Sequence, residues 1–183
     1  MPDSPDRTLP TDRLHGLPPL VGPGTRVLVL GSFPGAASLR AAQYYGHPRN
    51  HFWPVLQALW PALAQPGAHD YAGRCAWLLA RGLGLWDVYA DCERQGSLDS
   101  AIRNARLNDF AALRARLPGL AAIVHNGGES FTHARRVRQA MGLQDGAAPP
   151  SLRVPSTSPA NASWSLQRKI DAWGAALAHA GLP

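Results

Sequence analysis

The stretch RVLVLGSFPG, residues 26–35, decides how the rest of the chain is read. Its first half is an unbroken apolar run suited to a buried strand, and its second half is a proline turn bounded by glycines. Further apolar runs follow: a short strand around 85–88 in GLWDVY, the run LAAIVHN ending at Asn126, and LRVPS ending at Ser156. Helical patterns separate them. NHFWPVLQALW starts at Asn50 and spaces Phe52, Val55, Leu56 and Leu59 on one face, with Pro54 tolerated in the first turn. YAGRCAWLLARG ends near Gly82, and FAALRARL precedes the strand that ends at Asn126. Gly127 and Gly128 open a helix expected to carry Phe131, Ala134, Val137 and Met141 on one side, and the last helix buries Leu166, Ile170, Trp173 and Leu177. A polar segment, ADCERQGSLDSAIRNARLND, intervenes before FAALRARL.

Strands alternating with helices predict a three-layer α/β/α sandwich around a central, mostly parallel, four-stranded sheet. Residues 1–24 hold six prolines and little periodic hydrophobicity, so they read as an extended N-terminal arm that packs on the domain or stays loose, with residues 25–183 as a single domain. In such sheets ligands bind beyond the carboxyl ends of the strands. GSFPG, DVYADC, HNGGES and STSPAN, which follow the four strands, are therefore expected to converge on one cleft.

Composition bounds the chemistry. The chain carries +6 net charge, and 17 of its 18 basic residues are arginine, Lys169 being the exception, a balance that favours polyanions with nucleic acid first. Two cysteines, Cys75 and Cys92, are too few for a disulfide framework or a four-cysteine cluster, so a reducing cytoplasm is expected. No apolar run approaches the ~18 residues of a membrane span, and the first residues lack the pattern of a signal peptide, so no membrane partner is expected.

There is no GxxxxGK[ST] phosphate loop, no HExxH and no GxSxG. His47 and His51 have a spacing that holds metal on a helix, but Pro48 lies between them and the helix starts only at Asn50, so no metal and no cofactor are expected. Backbone N–H groups of the GSFPG turn suit a carbonyl oxygen or an anion, and Tyr44 and Tyr45 suit stacking on a base. Asn50 and Asn126 each offer an amide that suits either a helix cap or a ligand, and His125 is equally ambiguous. Ser156, Thr157 and Ser158 could bind phosphate oxygens, with Pro159 and Ala160 as a compact tip, or form an ordinary loop into a helix capped by Asn161 or Ser163. Asp87 and Asp99 are possible general bases, although a helix cap or an arginine ion pair is the plainer use of each.

In this order GSFPG, QYYGHPRNHFW, GLWDVYADCERQGSLDSAI, HNGG and PSTSPAN resemble the uracil-DNA glycosylase superfamily, most closely its hypoxanthine-type branch, the DNA-deoxyinosine glycosylases, over residues 26–173. The resemblance implies a monofunctional glycosylase of base excision repair that hydrolyses the N-glycosidic bond of an extruded hypoxanthine or uracil. Related mismatch-specific enzymes carry an asparagine before the turn proline, the residue assigned to water activation. Here Phe33 stands in that place, and the resemblance points to Asn50 as the catalytic amide. It further implies a base site of Gly31, Ser32, Phe33, Tyr45, Phe52 and Asn126, in which the Phe33 backbone meets a carbonyl edge, Tyr45 stacks and Asn126 recognises the base. Ser156, Thr157, Ser158, Pro159, Ala160 and Asn161 resemble the loop that pinches the DNA backbone and fills the vacated space. The implied partner is DNA bearing a deaminated base, met by a monomer in the nucleoid. Phe33 also keeps open a non-catalytic nucleic-acid binder, and a free-nucleoside hydrolase is a third reading.

Overall fold

A computed structural model describes residues 13–182, so the first part of the expected arm, residues 1–12, lies outside the described residues. In chain order the elements are β1 (Arg13–His15), β2 (Val27–Gly31), α1 (Ala36–Ala41), α2 (Phe52–Leu59), α3 (Tyr71–Leu79), β3 (Leu83–Asp87), β4 (Tyr89–Glu93), a 3-10 turn (Asp99–Ala101), β5 (Arg103–Leu107), α4 (Phe110–Ala115), β6 (Ala122–Asn126), α5 (Gly128–Thr132), α6 (Ala134–Ala140), β7 (Ser151–Val154) and α7 (Leu166–His179).

The expected sandwich is the observed fold. Four parallel strands lie in the order β3-β2-β6-β7, with Val29 of β2 registered between Leu85 and Val124. Every residue of β2, β3 and β6 is buried, which is why these segments read as continuous apolar runs without alternation. Phe52 of α2 meets Trp173 of α7 edge-on at 5.7 Å, while α4 packs on β3 through Phe110 against Trp86 at 5.2 Å. From β2 the chain first moves to β3 on one side and then returns to β6 on the other. The crevice between the carboxyl ends of β2 and β6 is therefore the topological switch point, where ligands collect in open parallel sheets.

Several expectations need correction. The polar segment after β3 is not a plain connection, because β4 and β5 join β1 in an antiparallel sheet of order β1-β4-β5. Its centre is Asp91, which receives Arg13 from one neighbouring strand and Arg106 from the other. Residues 13–24, by contrast, take the packed one of the two forms expected of the arm, held by β1 on β4 and by a bridge from Leu20 to Leu85. The helix after β6 breaks at His133 into α5 and α6, which takes Phe131 off the common face and leaves it 36% exposed. Leu166 is likewise exposed at 38%, whereas Lys169 is buried at 1%, its ammonium donating to the Asn161 carbonyl at 3.2 Å. Helix α2 starts at Phe52, not Asn50.

Candidate active site

Beyond the carboxyl ends of the four parallel strands lies a cavity of about 530 Å³. The turn after β2 contributes Gly31, Ser32 and Phe33, β3 contributes Asp87, β6 contributes Asn126, and the segment after β7 contributes residues 156–161. Tyr45 and Asn50, from the connection between α1 and α2, face the same space. Of DVYADC and HNGGES, only Asp87 and Asn126 reach it.

The GSFPG turn is held by its carbonyls. Gly31 accepts from the Val88 N–H at 2.9 Å and Ser32 from the Tyr89 N–H at 3.1 Å. Among the described residues no partner takes the N–H groups of Ser32 and Phe33, so the donor side of the turn is left for a ligand. Phe33 is buried and backed by the Arg94 guanidinium, 5.0 Å from its ring centre.

Tyr45 adopts a left-handed backbone, with φ of 55°, which costs a tyrosine on the order of 1 kcal/mol or more. One face of its ring is stacked on Phe52 at 3.9 Å between centroids with an interplanar angle of 22°. Phe52 itself is fully buried and does not line the cavity, so it buttresses Tyr45 and the expectation that it contacts the base is corrected. The Tyr45 hydroxyl is buried beside the Asn126 amide; burial, with Asp87 nearby, pushes its pKa up, and the Asn126 side chain opposes that rise. Tyr44 is anchored instead, its hydroxyl donating to the Pro18 carbonyl at 2.9 Å.

Asn50 serves two ends at once. Its Oδ1 accepts the Phe52 N–H at 2.9 Å and so closes the first turn of α2, which also fixes which end of the amide is oxygen. Nδ2 has no partner among the described residues, and the side chain borders the cavity. Asn126 is held by Thr157: its Oδ1 accepts the Thr157 N–H and its Nδ2 donates to the Thr157 hydroxyl, both at 2.9 Å. The second Nδ2 hydrogen lies on the cavity side, beside the Tyr45 hydroxyl.

The loop after β7 braces itself. Ser156 and Ser158 hydroxyls accept the N–H groups of Ser158 and Ala160, Asn161 Nδ2 donates to the Ser156 carbonyl, and the Thr157 carbonyl accepts from the His51 N–H at 3.0 Å. Thr157 is fully buried, so its hydroxyl anchors Asn126 and is not free for a phosphate, a correction to the grouping of all three hydroxyls. Gly127, with φ of 110°, lets this loop close: a Cβ there would stand 3.1 Å from that of Ser156.

His125 is a structural group. Fully buried, it meets the Ser130 hydroxyl at 2.8 Å, and burial pushes its pKa down to about 4. His47 and His51 are engaged separately, with the Arg49 N–H and Lys169 respectively, and no group of three metal-ligating side chains occurs among the described residues. No helix among them is long and apolar enough to cross a membrane.

One wall of the cavity was not found from sequence, although Asp99 within it and Asp87 beside it were named there as possible general bases. Residues 97–100 form a further wall, with the Ser97 hydroxyl accepting the Ala36 N–H at 2.9 Å and Asp99 accepting the Ser32 hydroxyl at 2.6 Å. Partial burial pushes the Asp99 pKa up, against that hydrogen bond. Asp87 neither caps a helix nor pairs with an arginine among the described residues; its Oδ2 is buried without a partner.

Comparison with known proteins places this geometry. The family model of the uracil DNA glycosylase superfamily matches residues 18–177. The hypoxanthine DNA glycosylase of Methanosarcina barkeri is 36% identical over 130 residues, covering 71% of this chain and 80% of that protein. That of Methanosarcina acetivorans is 34% identical over 165 residues, covering 90% and 98%. A solution NMR structure from Methanosarcina acetivorans, described as a candidate uracil DNA glycosylase, superposes with a TM-score of 0.75 at 31% identity, covering 93% of this chain and 99% of that one.

Proposed function

The chain belongs to the uracil DNA glycosylase superfamily and is a DNA glycosylase, and from that premise we propose that it removes deaminated bases from DNA with hypoxanthine as the preferred one. The preference is supported by the two curated relatives, both hypoxanthine DNA glycosylases. The observation that carries the site assignment is that Tyr45, Asn50 and Asn126, from three separate parts of the chain, border one cavity at the switch point.

A stacked base hides its glycosidic bond, so the nucleotide must swing out at a cost of a few kcal/mol. Exposed arginines such as Arg49, next to Asn50, attract the phosphates, and the Pro159–Ala160 tip fills the gap left in the duplex. Inside, the base stacks on the open side of Tyr45, whose other face rests on Phe52. The unpaired N–H groups of Ser32 and Phe33 and the second Asn126 hydrogen meet the carbonyl edge of the base. As the bond to the sugar lengthens, negative charge gathers on the base, and each donor aimed at it is worth about 3 to 4 kcal/mol in comparable oxyanion sites. Asn50 holds the attacking water through its remaining lone pair and Nδ2 hydrogens, while its helix bond keeps the amide from turning. A neutral amide suffices because the sugar cation is strongly electrophilic. We further propose that the protein acts as a monomer at the nucleoid, where a DNA substrate lies.

The test is a set of duplexes carrying one hypoxanthine, uracil or xanthine each, read as alkali-labile strand breaks under single-turnover conditions. Fastest breakage at hypoxanthine is expected; faster breakage at uracil would overturn the preference. Cleavage of free inosine without salt-sensitive DNA binding would replace DNA by a nucleoside as the substrate.

A further inference from the structure

Strand β3 ends in an acid that the scheme above does not use. Asp87 is 5% exposed and borders the cavity, yet its Oδ2 makes no hydrogen bond. A purely structural carboxylate in such a place would be expected to draw in a cation, because burying an unpaired charge is costly. The available cation does not come. Arg94 is itself buried, with Nε and Nη1 unpartnered, and spends Nη2 on the Pro34 carbonyl while lying over the Phe33 ring. Space is also kept for the acid: a Cβ on Gly31 would stand 2.4 Å from Asp87 Oδ1. The neighbouring donors, the Tyr45 hydroxyl and the Asn126 amide beside it, border the same cavity.

We infer that Asp87 is a catalytic residue acting as the un-ionised acid, donating its carboxyl proton to an acceptor atom on the extruded base so that the base departs neutral. This rests on the glycosylase reading and deepens it. An ionised carboxylate here would repel the charge that develops on the leaving base, whereas the neutral acid stabilises it. The step balances. The glycosidic bond breaks with its electron pair on the base, the Asp87 proton passes to the base, the oxygen of water bonds the anomeric carbon, and the proton released by that water leaves to solvent, from which Asp87 is reprotonated.

The surroundings favour the required state. Burial pushes the Asp87 pKa up to about 7, with the Asp99 carboxylate on the 3-10 segment adding to the rise and Arg94 beyond β4 opposing it. Tyr44 and Tyr45, from the segment after α1, also face it, and both phenols stay neutral because burial pushes their own pKa values up. Gly31 of β2 and Asn126 of β6 contribute no titratable group.

Single-turnover release of hypoxanthine from duplex between pH 5.5 and 8 tests this. The wild-type rate is expected to fall about tenfold from pH 6 to pH 8 as the acid ionises. Asp87→Ala should lose about a hundredfold at pH 6 with duplex binding largely kept. Asp87→Asn, which keeps a donor but cannot ionise, should be slower than wild type at pH 6 and equally slow at pH 8. A flat wild-type profile, a wild-type rate in Asp87→Ala, or the wild-type slope in Asp87→Asn would each overturn the assignment. The wild-type profile alone decides should a variant fail to fold. Absence of base release by the wild type from every duplex would instead overturn the parent reading, and this one with it.

Discussion

Asn126 and Thr157 grip each other through two hydrogen bonds of 2.9 Å, one from the Thr157 backbone and one to its hydroxyl. The pair joins β6 to the loop after β7, so an amide at the base site and the loop expected to enter DNA are set by one contact. Thr157→Val removes the hydroxyl and leaves one Asn126 hydrogen without its buried partner. A loss of about 1 to 3 kcal/mol in denaturant unfolding is expected, with a lower excision rate as the amide becomes free to turn. Unchanged excision with reduced stability would show that the contact only holds the fold.

Asn50 closes the first turn of α2 through Oδ1, which allows its chemical and structural uses to be separated. Asn50→Ala is expected to lower single-turnover excision about a hundredfold or more while costing about 1 kcal/mol of stability for the lost hydrogen bond to the Phe52 N–H. Asn50→Ser can restore an oxygen for that N–H without restoring the amide. Recovery of the rate by Asn50→Ser would remove the amide from the reaction.

Gly31 is required for the space it leaves. A Cβ there would meet Asp87 Oδ1 at 2.4 Å, so Gly31→Ala must displace the carboxyl group or the turn. A destabilisation of about 1 to 3 kcal/mol, in the range of an overpacked core, is expected together with a strong loss of excision. Thermal unfolding and single-turnover rates check both; a fully active Gly31→Ala would mean that the turn and Asp87 move apart without consequence.

Stability should respond to pH through two buried groups with opposite signs. Asp87 has a folded pKa of about 7, above its unfolded 3.8, so the native state holds the extra proton between these values and stability falls as pH rises through that window. Asp87→Asn should therefore gain on wild type from about pH 4 to pH 7 and level off above, by up to about 4 kcal/mol. His125 behaves in reverse. Its folded pKa of about 4 lies below the unfolded 6.5, so the stability of its neutral form is present above pH 6.5 and is lost as pH falls toward 4. Urea titrations of wild type and Asp87→Asn at pH 4.5, 5.5 and 7 read both effects; a difference between the two proteins that does not change with pH would contradict the Asp87 assignment.

The parallel sheet was legible in the sequence because its central strands are buried on both faces and so read as unbroken apolar runs, as in VLVL of β2 and AIV of β6. The antiparallel sheet was not. β4 and β5 carry Asp91, Glu93, Arg103 and Arg106, and the sheet is completed by Asp91 meeting Arg13 of β1, 78 positions away in the chain, which no local pattern announces. Helix periodicity likewise overreached at Leu166, the first residue of α7, and at Phe131, just before the break at His133, both of which lie outside.

For the site, strand ends drew attention to the GSFPG turn and Asn126, whereas the roles of Asn50 and Tyr45, which lie between two helices, were implied only by the resemblance to the glycosylase superfamily. Which atoms face the cavity was decided by packing alone. Phe52 and Tyr45 differ in role because one ring is covered by the other, Thr157 differs from Ser156 because β6 reaches it first, and Asp87, a possible base by sequence, is left unpaired because Arg94 lies over Phe33. Sequence carries local preference, which chooses elements and their ends; hydrogen-bond partnership and the desolvation of a carboxyl depend on groups far apart in the chain, and only the folded arrangement brings these together.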